Sequence, residues 1–236
     1  VSIHCTTVFQ PRETDRAWGG YSTPGPALPV KRLALNLGAP GDRTTPDGKL
    51  WMGFPRPSLR MPVPIKPTLT YMSGGGAYNT ATDSAQFAGT EAPWLYTSGA
   101  RGLTSFSVPL VGALDGPAIY TVRLGFVDAQ NSSAGQRTFG LKVQGQVREP
   151  AFDIVKAAGG PNRVVVREFS GIQVDDALNV EFIASGKDLK PEQMPVLNCI
   201  EIVREKVLHV GMQAPDLVVS DPVPSAEGKV EFSNRT

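Results

Sequence analysis

The segment Ile119–Ala129, IYTVRLGFVDA, alternates without a break: Tyr120, Val122, Leu124 and Phe126 fall on one side, Thr121, Arg123 and Gly125 on the other. A period of two marks a β-strand with one buried and one wet face, because successive side chains leave a pleated backbone in opposite directions. The pattern recurs. KRLALNLGA (31–39) places Leu33, Leu35 and Leu37 together, and RTFGLKVQG (137–145) sets Phe139, Leu141 and Val143 against Gly140, Lys142 and Gln144. LWMGF (50–54), PWLYTS (93–98), LTSFSVPL (103–110), RVVVREFSGIQV (163–174), ALNVEFIAS (177–185) and PVLNCIEIVRE (195–205) read as further strands. PIKPTLTYM (64–72) reads as an edge strand, since its prolines lack the N–H a central strand must donate. No segment sustains a helical period, and 25 glycines and 21 prolines in 236 residues suit many short strands joined by turns. Short connections favour antiparallel hairpins over crossovers. The predicted fold is all-β: a two-sheet antiparallel β-sandwich of jelly-roll type over residues 31–205.

The flanks read differently. Residues 1–30 are rich in Pro, Gly and polar side chains, and residues 206–236 carry Pro215, Pro222 and Pro224. Both are expected to be extended linkers, as in a module cut from a larger protein. VSIHCTTVFQPRE at the start lacks the charged-then-apolar pattern of a signal peptide. The net charge of +1 offers no strong field to nucleic acid or anionic lipid, and no run of 18 apolar residues would insert into a membrane.

Little in the chain suggests catalysis. The two histidines, His4 and His209, lie near opposite ends, and no Cys/His cluster has metal-ligand spacing. Cys199 sits in the apolar run PVLNCIEIV, where a thiol packs as a small hydrophobe; a bridge to Cys5 stays open, because spacing alone does not decide it. Asp42 and Asp47 in GDRTTPDGK have oxygens suited to a structural calcium ion, though two acids in a turn are more often turn formers. No catalytic residue, metal site or cofactor is predicted.

Six stretches in order resemble the malectin and malectin-like carbohydrate-binding domains. LALNLGAPGD with DGKLW resembles the family's opening, PWLYTS with FSVPL its Leu-Tyr-x-Thr stretch and following strand, and IYTVRLGFVDA its Tyr-x-Val-x-Leu-x-Phe-Ala-Glu strand. QRTFGLKVQGQV, FDIVKAAGG and PVLNCIEIV resemble the three that come next, the last matching Pro-x-Leu-Asn-Ala-Ile-Glu-Ile. Much of this signature is structural. Phe126, Phe139, Leu141, Phe152 and Phe182 supply inward-facing bulk, and Gln144-Gly145 suits a two-residue hairpin turn. GAPGDRTTPDGKLWMGFPRP resembles the subgroup joined to other domains, including β-propellers, in large secreted bacterial proteins. The resemblance implies a non-catalytic carbohydrate-binding module, extracellular, periplasmic or at the cell surface, with a glycan as ligand. The alternative is an assembly module that docks onto a neighbouring protein domain or subunit.

Sugar sites of this kind stack a C–H face on an aromatic ring and bond hydroxyls to planar polar groups. The resemblance places the family's aromatic pair on Gln130 and Asn131, and its loop tyrosine near Gly99 and Ala100, none of which has a stacking face. The candidates that remain are Trp51, Tyr71, Tyr78, Trp94 and Tyr96 for stacking, and Asp128, Gln130 and Asn131 for hydroxyls. For the aromatics the competing reading is packing, and for Gln130 and Asn131 a solvated loop. The patternless, Gly-rich stretch 71–93 is the expected binding loop. Asn131-Ser132-Ser133 and Asn234-Arg235-Thr236 also match the acceptor pattern for N-glycosylation.

Overall fold

The computed structural model describes residues 28–55, 65–80, 87–113 and 115–208. His4, Cys5 and His209 lie outside these residues, as do nearly all of the two flanks. Among the described residues twelve strands form two sheets. They are β1 (Arg32–Leu37), β2 (Arg43–Thr44), β3 (Leu50–Phe54), β4 (Thr68–Asn79), β5 (Ser98–Pro109) and β6 (Ala118–Phe126). Then come β7 (Thr138–Val143), β8 (Gln146–Asp153), β9 (Val165–Val174), β10 (Ala177–Ala184), β11 (Val196–Leu197) and β12 (Cys199–Val207). The first sheet has the order β2-β3-β1-β12-β6-β9. The second has the order β11-β5-β10-β7-β8, and β4 also pairs with β5. All pairings between strands are antiparallel except β1 with β3.

The all-β sandwich read from the sequence is the fold observed, and its core follows the alternation. Tyr120, Val122, Leu124 and Phe126 are fully buried between the sheets with Leu33, Leu35 and Leu37. Phe126, Phe139 and Phe152 pack ring to ring at centroid distances of 4.9 to 6.2 Å, with Phe182 beside Phe139. Burying each such side chain is worth about 1.5–3 kcal/mol. The β7–β8 hairpin closes on Gln144 (φ 50°) and Gly145 (φ 71°), both left-handed as a type I′ turn requires.

Two local expectations are corrected, and one short helix is added. PWLYTS does not form a strand: Pro93–Tyr96 is a 3₁₀ turn and β5 begins at Ser98. Proline's fixed φ suits the first turn of a helix, and this short turn offers no ladder to break. The Gly-rich stretch from residue 71 is not loop up to residue 79: β4 continues through it to Asn79. A bulge between Tyr71 and Gly76 shifts the register against β5, so the alternation disappears from the sequence while the strand survives. FDIVKAAGG contains a one-turn α-helix, Ile154–Ala158, whose first turn is capped by the Asp153 carboxylate and whose end is a left-handed Gly159.

A second, smaller core lies on the outer face of the first sheet. Ala34 and Cys199 point away from their inward neighbours and meet Trp51, Ala92, Leu95, Tyr96 and Val127, with Phe87, Trp94 and Val164 packed against them. The 3₁₀ turn is thus a clamp laid over one end of that sheet.

Candidate functional site

Two groups of polar residues gather at strand ends. The first holds three of the expected ligand-binding residues. Beyond β6, Asp128 accepts from the N–H groups of Gln130 and Asn131 (both 3.1 Å) and from Asn131 Nδ2 (2.8 Å). Arg137 approaches Asp128 at 3.2 Å, and donates through Nε to the Glu192 carbonyl (2.9 Å) and through Nη2 to Gln130 Oε1 (2.8 Å). Asn131 Nδ2 also reaches the Glu192 carbonyl at 2.7 Å. The side chains of Asp128 and Arg137 are 1% and 2% exposed, so their charges meet only each other and nearby polar groups. Burial holds the Arg137 guanidinium below its usual range, against the pull of Asp128. Asp128 and Asn131, expected to meet ligand hydroxyls, instead spend their polar atoms on a sealed corner, because Arg137 and the 191–192 carbonyls close over them. Gln130 is exposed, with its amide oxygen engaged by Arg137.

The second group surrounds a cleft of about 370 Å³ lined by Asn36, Ala39–Arg43, Asn79, Trp94, Thr97 and Ser98. Three chain segments meet there: the exit of β1, the end of β4, and the junction of the 3₁₀ turn with β5. Asn36, 3% exposed, is among the lining residues, and its Oδ1 accepts from Ser98 Oγ at 3.2 Å. Asp42 Oδ1 accepts from the Gly53 N–H at 3.0 Å, which holds the 39–43 loop in place. The Arg43 guanidinium lies 4.7 Å from the centre of the Trp94 indole, a cation–π pair worth about 0.5–1 kcal/mol at an exposed site. Trp94 is half-buried against the outer core, and Thr97 Oγ1 donates to its carbonyl at 3.0 Å.

Of the five aromatics singled out in the sequence, Trp94 is the one that lines this cleft. Trp51 and Tyr96 belong to the outer core, where Tyr96 packs beside the Cys199 thiol; burial raises both, the thiol to about 12. Tyr71 packs half-buried against the main core. Tyr78 lies beneath the Arg101 guanidinium at 5.8 Å, its phenol raised by burial. Gly99 and Ala100 are buried within β5. Asn36, Asp42, Arg43, Asn79 and Ser98 were not singled out as ligand groups; Asp42 was weighed only for calcium. Asp47 is exposed and bonded to Lys49 and Thr45, which hold its carboxyl at about 2. Among the described residues no three His, Cys, Asp or Glu side chains cluster as a metal site, and no helix is long and apolar enough to cross a membrane.

Asn198 joins the two groups, and the sequence reading passed over it. Fully buried between β11 and β12, it accepts from the Val127 N–H at 2.9 Å and donates to the Ser98 carbonyl (2.7 Å), Tyr78 hydroxyl (3.0 Å) and Tyr96 carbonyl (3.2 Å). Its signal was one amide inside an otherwise apolar run.

The family model for the malectin domain matches residues 68–190. Among solved structures, the plant receptor-like kinase ANX2 aligns with a TM-score of 0.55 at 16% identity, covering 73% of this chain and 47% of that one. The ANXUR2 extracellular domain from Arabidopsis thaliana gives 0.54 at 15%, covering 73% and 48%. A β-glucuronidase from Bacteroides uniformis gives 0.52 at 19%, covering 73% of this chain and 18% of that chain. This chain therefore spans under half of the first two and about a fifth of the enzyme, and the likeness is one of fold. No curated protein matches in sequence.

Proposed function

The chain belongs to the malectin-domain family, and from that premise we propose that it is a non-catalytic carbohydrate-binding module of a larger secreted or surface protein, with its ligand in the Trp94 cleft. The observation that carries this reading is one cleft holding an indole beside a buried amide. Trp94 offers an apolar surface to a sugar's C–H face, and Asn36 supplies a largely buried amide on the lining for a hydroxyl. Asp42, Arg43, Asn79 and Ser98 also line the cleft. A volume of about 370 Å³ is at the small end for a ligand site and suits a short saccharide or chain terminus rather than a long chain. The reading needs neither metal nor cofactor. An extracellular, periplasmic or surface location accords with the extracellular domains among the structural relatives, and the near-neutral charge gives nucleic acid no purchase.

A second reading is a module that docks onto a neighbouring domain or subunit. It is favoured by Gln130, Asn131, Gly99 and Ala100, which stand where the family resemblance calls for stacking aromatics. Titration with a panel of neutral and acidic methyl glycosides and cell-wall polysaccharides, followed by tryptophan fluorescence and NMR, separates the two. The first reading expects saturable binding at millimolar concentrations or below that is lost in Trp94→Ala. Absence of binding to every glycan would reject it in favour of the second.

A further inference from the structure

We propose that Asn198 is a positioning residue of the Trp94 cleft: it does not line the cleft but sets the chain segments that form its walls. The proposal rests on the reading of that cleft as the binding site. Asn198 bonds β1, Tyr78 of β4 and the junction of the 3₁₀ turn with β5 at or next to lining residues, while the 39–43 loop is held separately by Asp42 and Gly53. Its carbonyl accepts from the Leu37 N–H at 2.9 Å, next to Asn36. Its amide nitrogen donates to the Tyr78 hydroxyl, next to Asn79, and to the carbonyls of Tyr96 and Ser98, which flank Thr97. Thr97 in turn bonds the carbonyl of Trp94. On the far side, Oδ1 takes the Val127 N–H, and the backbone N–H of Asn198 donates to the Gly125 carbonyl at 3.0 Å, so the hub is anchored on β6.

The chemistry admits few substitutes. The position needs one acceptor and two donors on a planar group of this length, inside a site that water does not reach. An aspartate keeps the shape and supplies no donor. Its charge would face the Ser98 and Tyr96 carbonyls, and burial beside those oxygens would raise its pKa above the unfolded value. The linkage sign follows. Relative to the wild type, Asn198→Asp is fully handicapped above its raised folded pKa. It recovers as pH falls toward the unfolded value, because the protonated acid regains one O–H donor. A residue that merely filled space would not produce that pH profile.

The test uses the full chain labelled with ¹⁵N, comparing wild type, Asn198→Asp and Asn198→Ser from pH 4 to 8. The expected result for Asn198→Asp at pH 7 is a melting temperature lower by roughly 5–10 °C, with the deficit shrinking toward pH 4. The Trp94 indole N–H resonance should shift with it and return with it, and affinity for the tightest methyl glycoside of the panel should fall by about tenfold or more. Asn198→Ser, too short to bridge Val127 and Ser98, should stay folded with the Trp94 resonance displaced at all pH values. A folded Asn198→Ser or Asn198→Asp with wild-type Trp94 resonance and affinity at pH 7 would overturn the proposal. So would unfolding of both variants across the range, which would make Asn198 a stability residue only. If wild type binds no glycoside, the saccharide reading fails by itself, while the Trp94 resonance still decides whether Asn198 positions this wall.

Discussion

The sealed corner around Asp128 and the open cleft around Trp94 are assembled from the same kinds of side chain at neighbouring strand ends. Each has an acid, an arginine and amides. They differ in what lies across from them. At the corner, Arg137 faces Asp128, and the carbonyls of Pro191 and Glu192 accept from Arg137 and Asn131, so the donors and acceptors close on one another. At the cleft the 39–43 loop is held by the bond between Asp42 and Gly53, and Asn36 and Trp94 are on the lining. A polar strand end is therefore not evidence of a ligand site until its hydrogen bonds have been counted.

The strongest way to break this comparison is at the corner. Arg137→Ala leaves Asp128 buried without its cation, and breaking a buried pair in this way costs about 3–5 kcal/mol. Urea unfolding should register that loss, with glycoside affinity at the cleft unchanged within about threefold in the folded protein. A loss below about 1 kcal/mol would mean that water reaches the pair and the corner is not sealed.

The cleft gives the next largest effect, in affinity rather than stability. Trp94→Ala removes the stacking surface and the partner of Arg43, and should weaken the tightest glycoside by at least about tenfold. The same variant loses some outer-core packing, so the reading depends on the affinity ratio measured at a temperature where both proteins are folded. An unchanged affinity would move the ligand elsewhere on the module.

The fold was far more legible than the site, for a physical reason. Burial between two sheets imposes a period of two, so Tyr120 to Phe126, Phe139 to Val143 and the Gln144-Gly145 turn could be read directly from the chain. The places where reading failed are those where something other than the main core sets the pattern. The bulge in β4 erased its alternation, and Pro93–Tyr96 packs on the outer face of a sheet, where an apolar run looks like one more strand. The site suffered most. Asp128 and Asn131 looked available because sequence does not reveal that Arg137 and Glu192 arrive opposite them. Asn36 and Asn198 were passed over among apolar neighbours, though each is a buried amide whose partners come from 62 to 120 residues away.

The smallest effect tests that boundary most finely. Gln130 stands at the edge of the sealed corner, exposed itself but accepting from Arg137 at 2.8 Å. If the family's stacking position had been converted here into a hydroxyl-binding group, Gln130→Ala would weaken glycoside binding. If its role is to complete the corner, the substitution removes one hydrogen bond to a charged donor that keeps its Asp128 and Glu192 contacts. The expected loss is then about 0.5–1.5 kcal/mol in urea unfolding, with glycoside affinity unchanged within about twofold. The opposite outcome, weakened binding with unchanged stability, would place the ligand at the Gln130 edge and leave the Trp94 cleft without one.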